Sequence, residues 1–377
     1  MSESGAPAAD VARDLAGSEL ARHRGRPLRV LHGAYEIAGQ GMMLARALRE
    51  WGCDAHTLSY KLDWDGRGGD LVVDLDRFGH NAGKGAAMLA TFLRWAGYFD
   101  VFHFHFGTSF LPRMLDVPLL KRLGKTVVFH FHGCDIRNRA HMLRTHRLST
   151  CTECDPFCRP HKQRELQSLA ARYADRVLFS TLDLAESVPQ GEHFPLVIDT
   201  ERWVEAARRH PLPAFDRRDG IQWPVVIGHA PTNRLIKGTR HVVAAVERLR
   251  KERPRVELRL LERQPWAEVP EFISECDILV DQLMMGWYGL LAIEGMAESK
   301  AVVLHLREDF ARAHPDLPIV DATPDSLFEV LRDLAKDPER RAALGARGAP
   351  FVLERHDTKV VGRRLLELYQ GLLAKRR

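Results

Sequence analysis

Gly286-Trp-Tyr-Gly-Leu-Leu-Ala-Ile-Glu-Gly-Met-Ala297 follows closely on Cys276-Asp-Ile-Leu-Val-Asp281. The earlier stretch reads as a short buried strand ending in an acid, and the later one as a glycine-bearing loop entering a helix. Strand, loop and helix form the unit of open α/β sheets, whose ligands bind at the carboxyl ends of the strands. One carboxylate, Glu294, interrupts the apolar run. An ionised carboxylate is costly to bury without a partner, so Glu294 is expected to face a polar ligand or a cation.

The same alternation extends in both directions. Toward the N-terminus, Pro27–His32 reads as a strand that ends at the glycine-punctuated loop Gly33–Gly41. Met42–Trp51 then carries Leu44, Leu48 and Trp51 at helical spacing. Asp100-Val-Phe-His-Phe-His105 and Thr126-Val-Val-Phe-His-Phe-His132 are further strand signals, each followed by a glycine, Gly107 or Gly133. Arg176–Thr181 is another. His103 and His105 are assigned to opposite faces of their strand, with His105 toward a cleft. A second set runs through Pro224–His229, a helix over Arg240–Glu252, Val256–Leu261 and Ala301–His305, with a helix start at Asp337-Pro338.

Alternation of this kind implies parallel sheets covered on both faces. The expected architecture is α/β, with two Rossmann-like lobes facing each other across a cleft. The expected boundaries are a flexible tail over 1–26, an N-terminal lobe over 27–200, a C-terminal lobe over 201–356, and a last helix over 357–377 that packs back toward the N-terminal lobe. Thr200–Gln222, polar and proline-bearing, is the expected linker. Trp95, Tyr98 and Phe99 read as core or, alternatively, as an apolar surface for a lipid-linked acceptor.

At 377 residues, with 45% hydrophobic and 28% charged, the composition is that of a globular protein with more than one core. A net charge of +5 suits an anionic small molecule or an acidic membrane surface. No block of Lys and Arg interleaved with aromatics suggests nucleic-acid binding. The first 26 residues lack the apolar run of a signal peptide, so a cytoplasmic location is expected, compatible with peripheral membrane contact.

A second loop between strand and helix is His229-Ala-Pro-Thr-Asn-Arg-Leu-Ile-Lys-Gly238. It places Arg234 and Lys237 where cations meet an anion favoured by a helix N-terminus; the alternative is two solvated surface cations. Lys237-Gly238 and the 286–297 segment together resemble the retaining GT-B glycosyltransferases of family 4, which carry an R…K-G pair and then an acidic-G-F-G-x4-E-A-M-A segment. The resemblance covers the chain from about Leu28 onward. Phe194-Pro-Leu-Val-Ile-Asp-Thr-Glu-Arg-Trp203 is similar to the family's interdomain segment, and Asp337–Gly345 and Phe351–Tyr369 to its last helices.

The resemblance implies transfer of a sugar from a nucleotide-diphosphate donor to an acceptor, with retention and without a metal or other cofactor in catalysis. It implies that Arg234 and Lys237 neutralise the diphosphate, that Gly289 and Leu290 bring backbone amides to it, and that Glu294 holds the ribose. The loop at Gly39 and Gly41 would close over the diphosphate from the other lobe. His132, in the sequence His-Gly, matches the position near sugar and acceptor. Two departures stand out. Gly286 occupies the position of the family's first acid, leaving Asp281 or Gln282 as substitute sugar contacts, and Thr232 takes the usual place of the phosphate-side arginine. A catalytically silent nucleotide-binding relative is the alternative reading.

Six cysteines remain. Cys151, Cys154 and Cys158 fall within eight residues, and Cys134 precedes them, all in a polar insert over 134–164. Four such thiols suit a structural zinc, with His146 or His161 as substitute ligands. The alternatives are free thiols, one disulfide, or a metal or redox sensor. Cys53 and Cys276 read as core residues.

Overall fold

The computed structural model describes residues 20–61, 69–154, 158–209, 224–253 and 255–375. Its N-terminal sheet contains β1 (Arg29–Gly33), β2 (Asp54–Ser59), β3 (Leu71–Val72), β4 (Val101–His105), β5 (Thr126–Phe131), β6 (Arg176–Phe179) and β7 (Glu192–His193). All pair in parallel, in the order β3-β2-β1-β4-β5-β6-β7. The C-terminal sheet contains β8 (Val225–His229), β9 (Val256–Leu260), β10 (Ile278–Val280), β11 (Ala301–Leu304) and β12 (Ile319–Asp321), also parallel, in the order β9-β8-β10-β11-β12. In each sheet the strand order reverses beside the first strand. This places the crevice for a ligand at the carboxyl ends of β1 and β8.

Sequence dictates the two faces of the N-terminal sheet. Along β4 phenylalanines alternate with Val101, His103 and His105, along β5 Val127, Phe129 and Phe131 alternate with Val128 and His130, and alternate side chains share a face. Phe102, Phe104, Phe129 and Phe131 form one buried core with Phe92, Phe99 and Phe110. Val101 and Val128 lie on the other face with Val30, under the helices Gln40–Glu50 and Thr358–Ala374. The last helix thus crosses back to the N-terminal lobe and buries Leu365, Leu366 and Tyr369 there.

Three expectations change. His103 and His105 share one face, their rings 4.6 Å apart and 3° from parallel, because residues two apart on a strand point the same way. The expected linker begins instead as a helix, Thr200–Arg209, which buries Trp203 in the C-terminal core; residues 210–222 of that linker lie outside the described residues. Residues 20–26, expected in the tail, carry a short hairpin, Arg22–His23 with Arg26–Pro27, and Ala21 is buried. Phe99 is fully buried and Trp95 and Tyr98 pack against the same core, so these aromatics serve packing. Cys53 and Cys276 are buried as well. No helix among the described residues is long and apolar enough to cross a membrane.

Candidate functional site

Between the lobes lies a cleft of about 880 Å³, within the range of small-molecule sites. Ile37, Gln40, His132 and Ser180 line it from the N-terminal lobe; Lys237, Gly289 and Glu294 line it from the other.

On the C-terminal side, Asn233 caps the turn Arg234–Lys237 by accepting from the amides of Leu235 and Ile236. The turn aims Lys237 at the end of β10. Its ammonium donates to Asp281 Oδ1 (2.6 Å) and to Gln282 Oε1 (2.7 Å). Asp281 is fully buried, and its Oδ2 accepts from the amide of Gly289, the first residue before the helix Leu290–Ala297 (3.0 Å). A side chain at 289 would press on Asp281 and Lys237, so glycine lets this amide come close. Gln282 donates its amide to the carbonyl of Trp287 (2.5 Å). Asp281 and Gln282, expected as sugar contacts, thus hold the lysine and the loop.

Glu294 is 6% exposed and accepts from Trp266 Nε1 (3.2 Å). Arg234 lines the cleft but turns outward into a two-pronged pair with Glu262, at 2.7 and 2.5 Å, which raises its pKa through those hydrogen bonds. Gly286 has φ +79°, and a Cβ there would lie 2.7 Å from the Arg307 side chain. Any other residue is strained at this position. Arg307 continues across to the N-terminal lobe, where it pairs with Glu186 (2.6 Å), and also pairs with Asp309 (2.7 Å).

On the N-terminal side, Gly39 precedes the helix Gln40–Glu50, and the first amides of that helix already have an anion. Gly41 and Met42 both donate to the Glu36 carboxylate, each at 3.0 Å. Two of the loops that the resemblance assigns to a diphosphate therefore end in the same arrangement: backbone amides at a helix start, closed by an internal carboxylate.

His132, at the end of β5, has both ring nitrogens engaged, Nε2 with His105 Nδ1 (2.9 Å) and Nδ1 with Ser180 Oγ (2.6 Å). Asp135 folds back to accept from the Gly133 amide (2.7 Å); burial pushes its pKa up to about 6. Burial drives His132 well below the ordinary histidine value and His105 down to about 3. These imidazoles are neutral at pH 7.

The cysteine insert reaches the opposite lobe: Glu153 pairs with Arg240 (2.6 Å) and His241 (3.1 Å). Within it, the buried guanidinium of Arg137 donates to Cys134 Sγ (3.2 Å), and Gln163 Nε2 donates to Cys158 Sγ (3.6 Å) and to the Cys134 carbonyl (2.8 Å). Among the described residues, trios of metal-ligating atoms within 4.8 Å of one another are formed by His32, His103 and His105, by His105, His130 and His132, and by His141, His146 and Glu186. The four thiols do not form one. In the last trio Arg307 already supplies a cation to Glu186.

Sequence reasoning missed Glu36, Trp266, Ser180 and Arg307. Only Glu36 had a local signal, an acid three residues before the glycine that precedes a helix.

No protein-family model matches the chain, and no curated protein is similar to it. Among solved structures, sucrose-phosphate synthase from Thermosynechococcus elongatus superposes with a TM-score of 0.64 at 14% identity, over 92% of this chain and 99% of that one. A glycosyltransferase from Rickettsia africae gives 0.59 at 12% identity, over 91% and 98%. HepE from Anabaena, in complex with UDP, gives 0.57 at 12% identity, over 91% and 100%. The fold is therefore GT-B: two Rossmann-like lobes with a cleft between them.

Proposed function

We propose that this chain is a glycosyltransferase that moves a sugar, a hexose or a relative of one, from a nucleotide-diphosphate sugar to an acceptor with retention of configuration. The observation that carries the proposal is the meeting of Lys237, the Gly289 amide and Glu294 in one interlobe cleft, at the carboxyl ends of the C-terminal strands. Similar folds have been solved with UDP and with UDP-glucose, which makes a uridine nucleotide the first donor to try. Retention follows from the resemblance to family 4.

In this reading the nucleotide lies along the C-terminal lobe. Leu261, Trp266, Val269 and Leu290 offer an apolar wall to the base, and Glu294 accepts from the ribose hydroxyls beside Trp266. The diphosphate displaces the Asp281 carboxylate from the Gly289 amide and shares the ammonium of Lys237. As the sugar–phosphate bond breaks, negative charge grows on the leaving diphosphate, and a fixed cation and helix-start amides stabilise it most at that moment. Arg234 joins when it releases Glu262. From the N-terminal lobe, the loop at Gly39 and Gly41 closes over the diphosphate and His132 closes the sugar end. Catalysis needs no metal in this scheme. A structural zinc on Cys134, Cys151, Cys154 and Cys158 belongs to the same proposal. Its support is the spacing of the four thiols within one insert, and binding would require them to close from the separated arrangement described above.

A second reading, a nucleotide-binding protein without transfer, is favoured by Gly286 and by the carboxylates Asp281 and Glu36 on the two sets of amides. A panel of nucleotide sugars, with mass measurement of products, separates the two. Release of nucleotide with a matching glycosylated or hydrolysed product supports transfer. Binding of a nucleotide without turnover of any matching sugar supports the second reading.

A further inference from the structure

The N-terminal wall of the cleft rests on five histidines from three adjacent strands. His32 lies beside His103 in the register of β1 and β4, and His105 beside His130 in that of β4 and β5; His132 follows the end of β5. All five project from the same face. Four are at most 2% exposed, and His132 is half-buried at the cleft. The hydrogen bonds run in a chain: His32 Nδ1 to His105 Nε2 (3.0 Å), His105 Nδ1 to His132 Nε2 (2.9 Å), and His132 Nδ1 to Ser180 Oγ (2.6 Å). A branch joins His130 Nε2 to the same Ser180 oxygen (3.2 Å).

A metal ion does not explain this cluster. A metal lies in the plane of each imidazole that ligates it, whereas His103 and His105 are 3° from parallel with centroids 4.6 Å apart. His130 and His132 stack similarly, at 4.3 Å and 30°. The rings form a ladder of faces; His32, His105, His132 and, through Ser180, His130 are joined by hydrogen bonds, while His103 stacks beside them and bonds Tyr369.

The direction of those protons follows from the ends of the chain. A neutral imidazole has one N–H and one bare nitrogen, so each link fixes the next. Two nitrogens at the ends, His32 Nε2 and His130 Nδ1, are buried and have no partner. If the protons run away from Ser180, each end becomes a buried N–H without an acceptor, and orphaned buried N–H groups are the rarer and costlier kind. If they run toward Ser180, both ends are bare nitrogens. The ladder therefore places N–H on His32 Nδ1, His105 Nδ1 and His132 Nδ1, and on His130 Nε2.

Ser180 receives both branches. Its oxygen accepts from His132 Nδ1–H and from His130 Nε2–H, which uses both lone pairs. Its own hydrogen has only the Phe131 carbonyl, at a long 3.4 Å. We infer that Ser180 is an obligate hydrogen-bond donor in the cleft, set by the histidine ladder to recognise an oxygen acceptor on the sugar or diphosphate of the donor, with His132 acting as a positioning residue through it. This rests on the proposed donor site and adds to it a residue and a polarity. The ligand atom meeting the N-terminal wall must accept, and a ligand that can only donate is disfavoured. It also separates His132 from proton transfer, because neither ring nitrogen is free to take a proton from an acceptor hydroxyl.

The test is made on the full chain, labelled with ¹⁵N-histidine, at neutral pH without ligand. Nitrogen NMR distinguishes protonated from bare ring nitrogens. The expected result is Nδ1–H with bare Nε2 for His105 and His132, and Nε2–H with bare Nδ1 for His130. An Nε2–H tautomer or an imidazolium at His132 would overturn the inference whatever the protein's activity. Binding is then measured with UDP-glucose and UDP on Ser180→Ala and Ser180→Thr. The alanine variant is expected to bind UDP-glucose roughly 5- to 10-fold more weakly, the net worth of one ordinary hydrogen bond, with the threonine variant recovering most of the loss. Equal binding by wild type and Ser180→Ala would overturn the donor role. If the wild type binds neither probe, the uridine-donor reading fails while the tautomer result stands on its own.

Discussion

The two walls of the cleft are built from opposite electrostatic materials. The C-terminal wall is charged and internally paired, with Lys237 on Asp281 and Arg234 on Glu262. The polar array of the N-terminal wall is neutral, with imidazoles held below their titration range by burial and mutual repulsion. Lys237 can share its ammonium with a second anion while still neutralising the buried Asp281, whose charge would be costly to leave unpaired. A neutral ladder has no charge to exchange and fixes direction instead. In the proposed reading one wall binds and releases a diphosphate, and the other reads polarity in the group attached to it.

Breaking the charged wall should have the largest effect. Lys237→Met removes the cation and leaves Asp281 buried and unpaired, so nucleoside diphosphate binding should fall beyond detection and stability by about 3 kcal/mol, read from denaturant unfolding. Adding Asp281→Asn should restore most of the stability and none of the binding. Recovery of binding in the double variant would mean that Lys237 serves only its buried partner.

The two lobes should also differ in their response to pH. His105 has a folded pKa near 3 against about 6.5 unfolded, so between those values the unfolded chain holds the extra proton. Stability from the ladder is therefore lost as pH falls from about 6.5. Glu298, at the end of the 290–297 helix, is pushed up to about 8 by burial. Between its ordinary value and 8 the folded protein holds the extra proton, so stability is lost as pH rises through that window. Glu298→Gln should flatten the alkaline limb of a Tm-versus-pH curve and leave the acid limb in place. Loss of both limbs together would show that they report one shared transition.

The smallest effect is expected at Gly286. Restoring an acid with Gly286→Glu forces a side chain into a left-handed conformation against Arg307, and should lower stability by about 2 kcal/mol without improving donor affinity. A gain in UDP-glucose binding would show that the position is vacant for a sugar contact after all.

The charged wall was largely legible in the sequence because its signals are local. Lys237 lies one residue before a helix-start glycine, and Glu294 stands alone in an apolar helix next to a strand. The neutral wall was not. His132 was singled out from its neighbour Gly133, but the link from His32 through His105 to Ser180 depends on strand register, which brings together residues 73 and 27 positions apart. Assigning His103 and His105 to opposite faces hid the ladder, although strand periodicity alone would have joined them. Glu36 and Asp281 went unrecognised as stand-ins for an anion, because which amide a carboxylate meets is set by the turn of the backbone. The thiols of the insert were visible as a pattern, while their arrangement around Arg137 and Gln163 depends on how the insert folds.

The central claim is that the interlobe cleft holds a nucleoside diphosphate against Lys237 and Glu294. Calorimetric titration of the full chain with UDP, GDP, ADP and TDP tests it most directly. The account predicts saturable one-to-one binding of at least one of them, abolished by Lys237→Met with Asp281→Asn and weakened by Glu294→Gln. Absence of binding by all four, or binding that survives both changes undiminished, would contradict it.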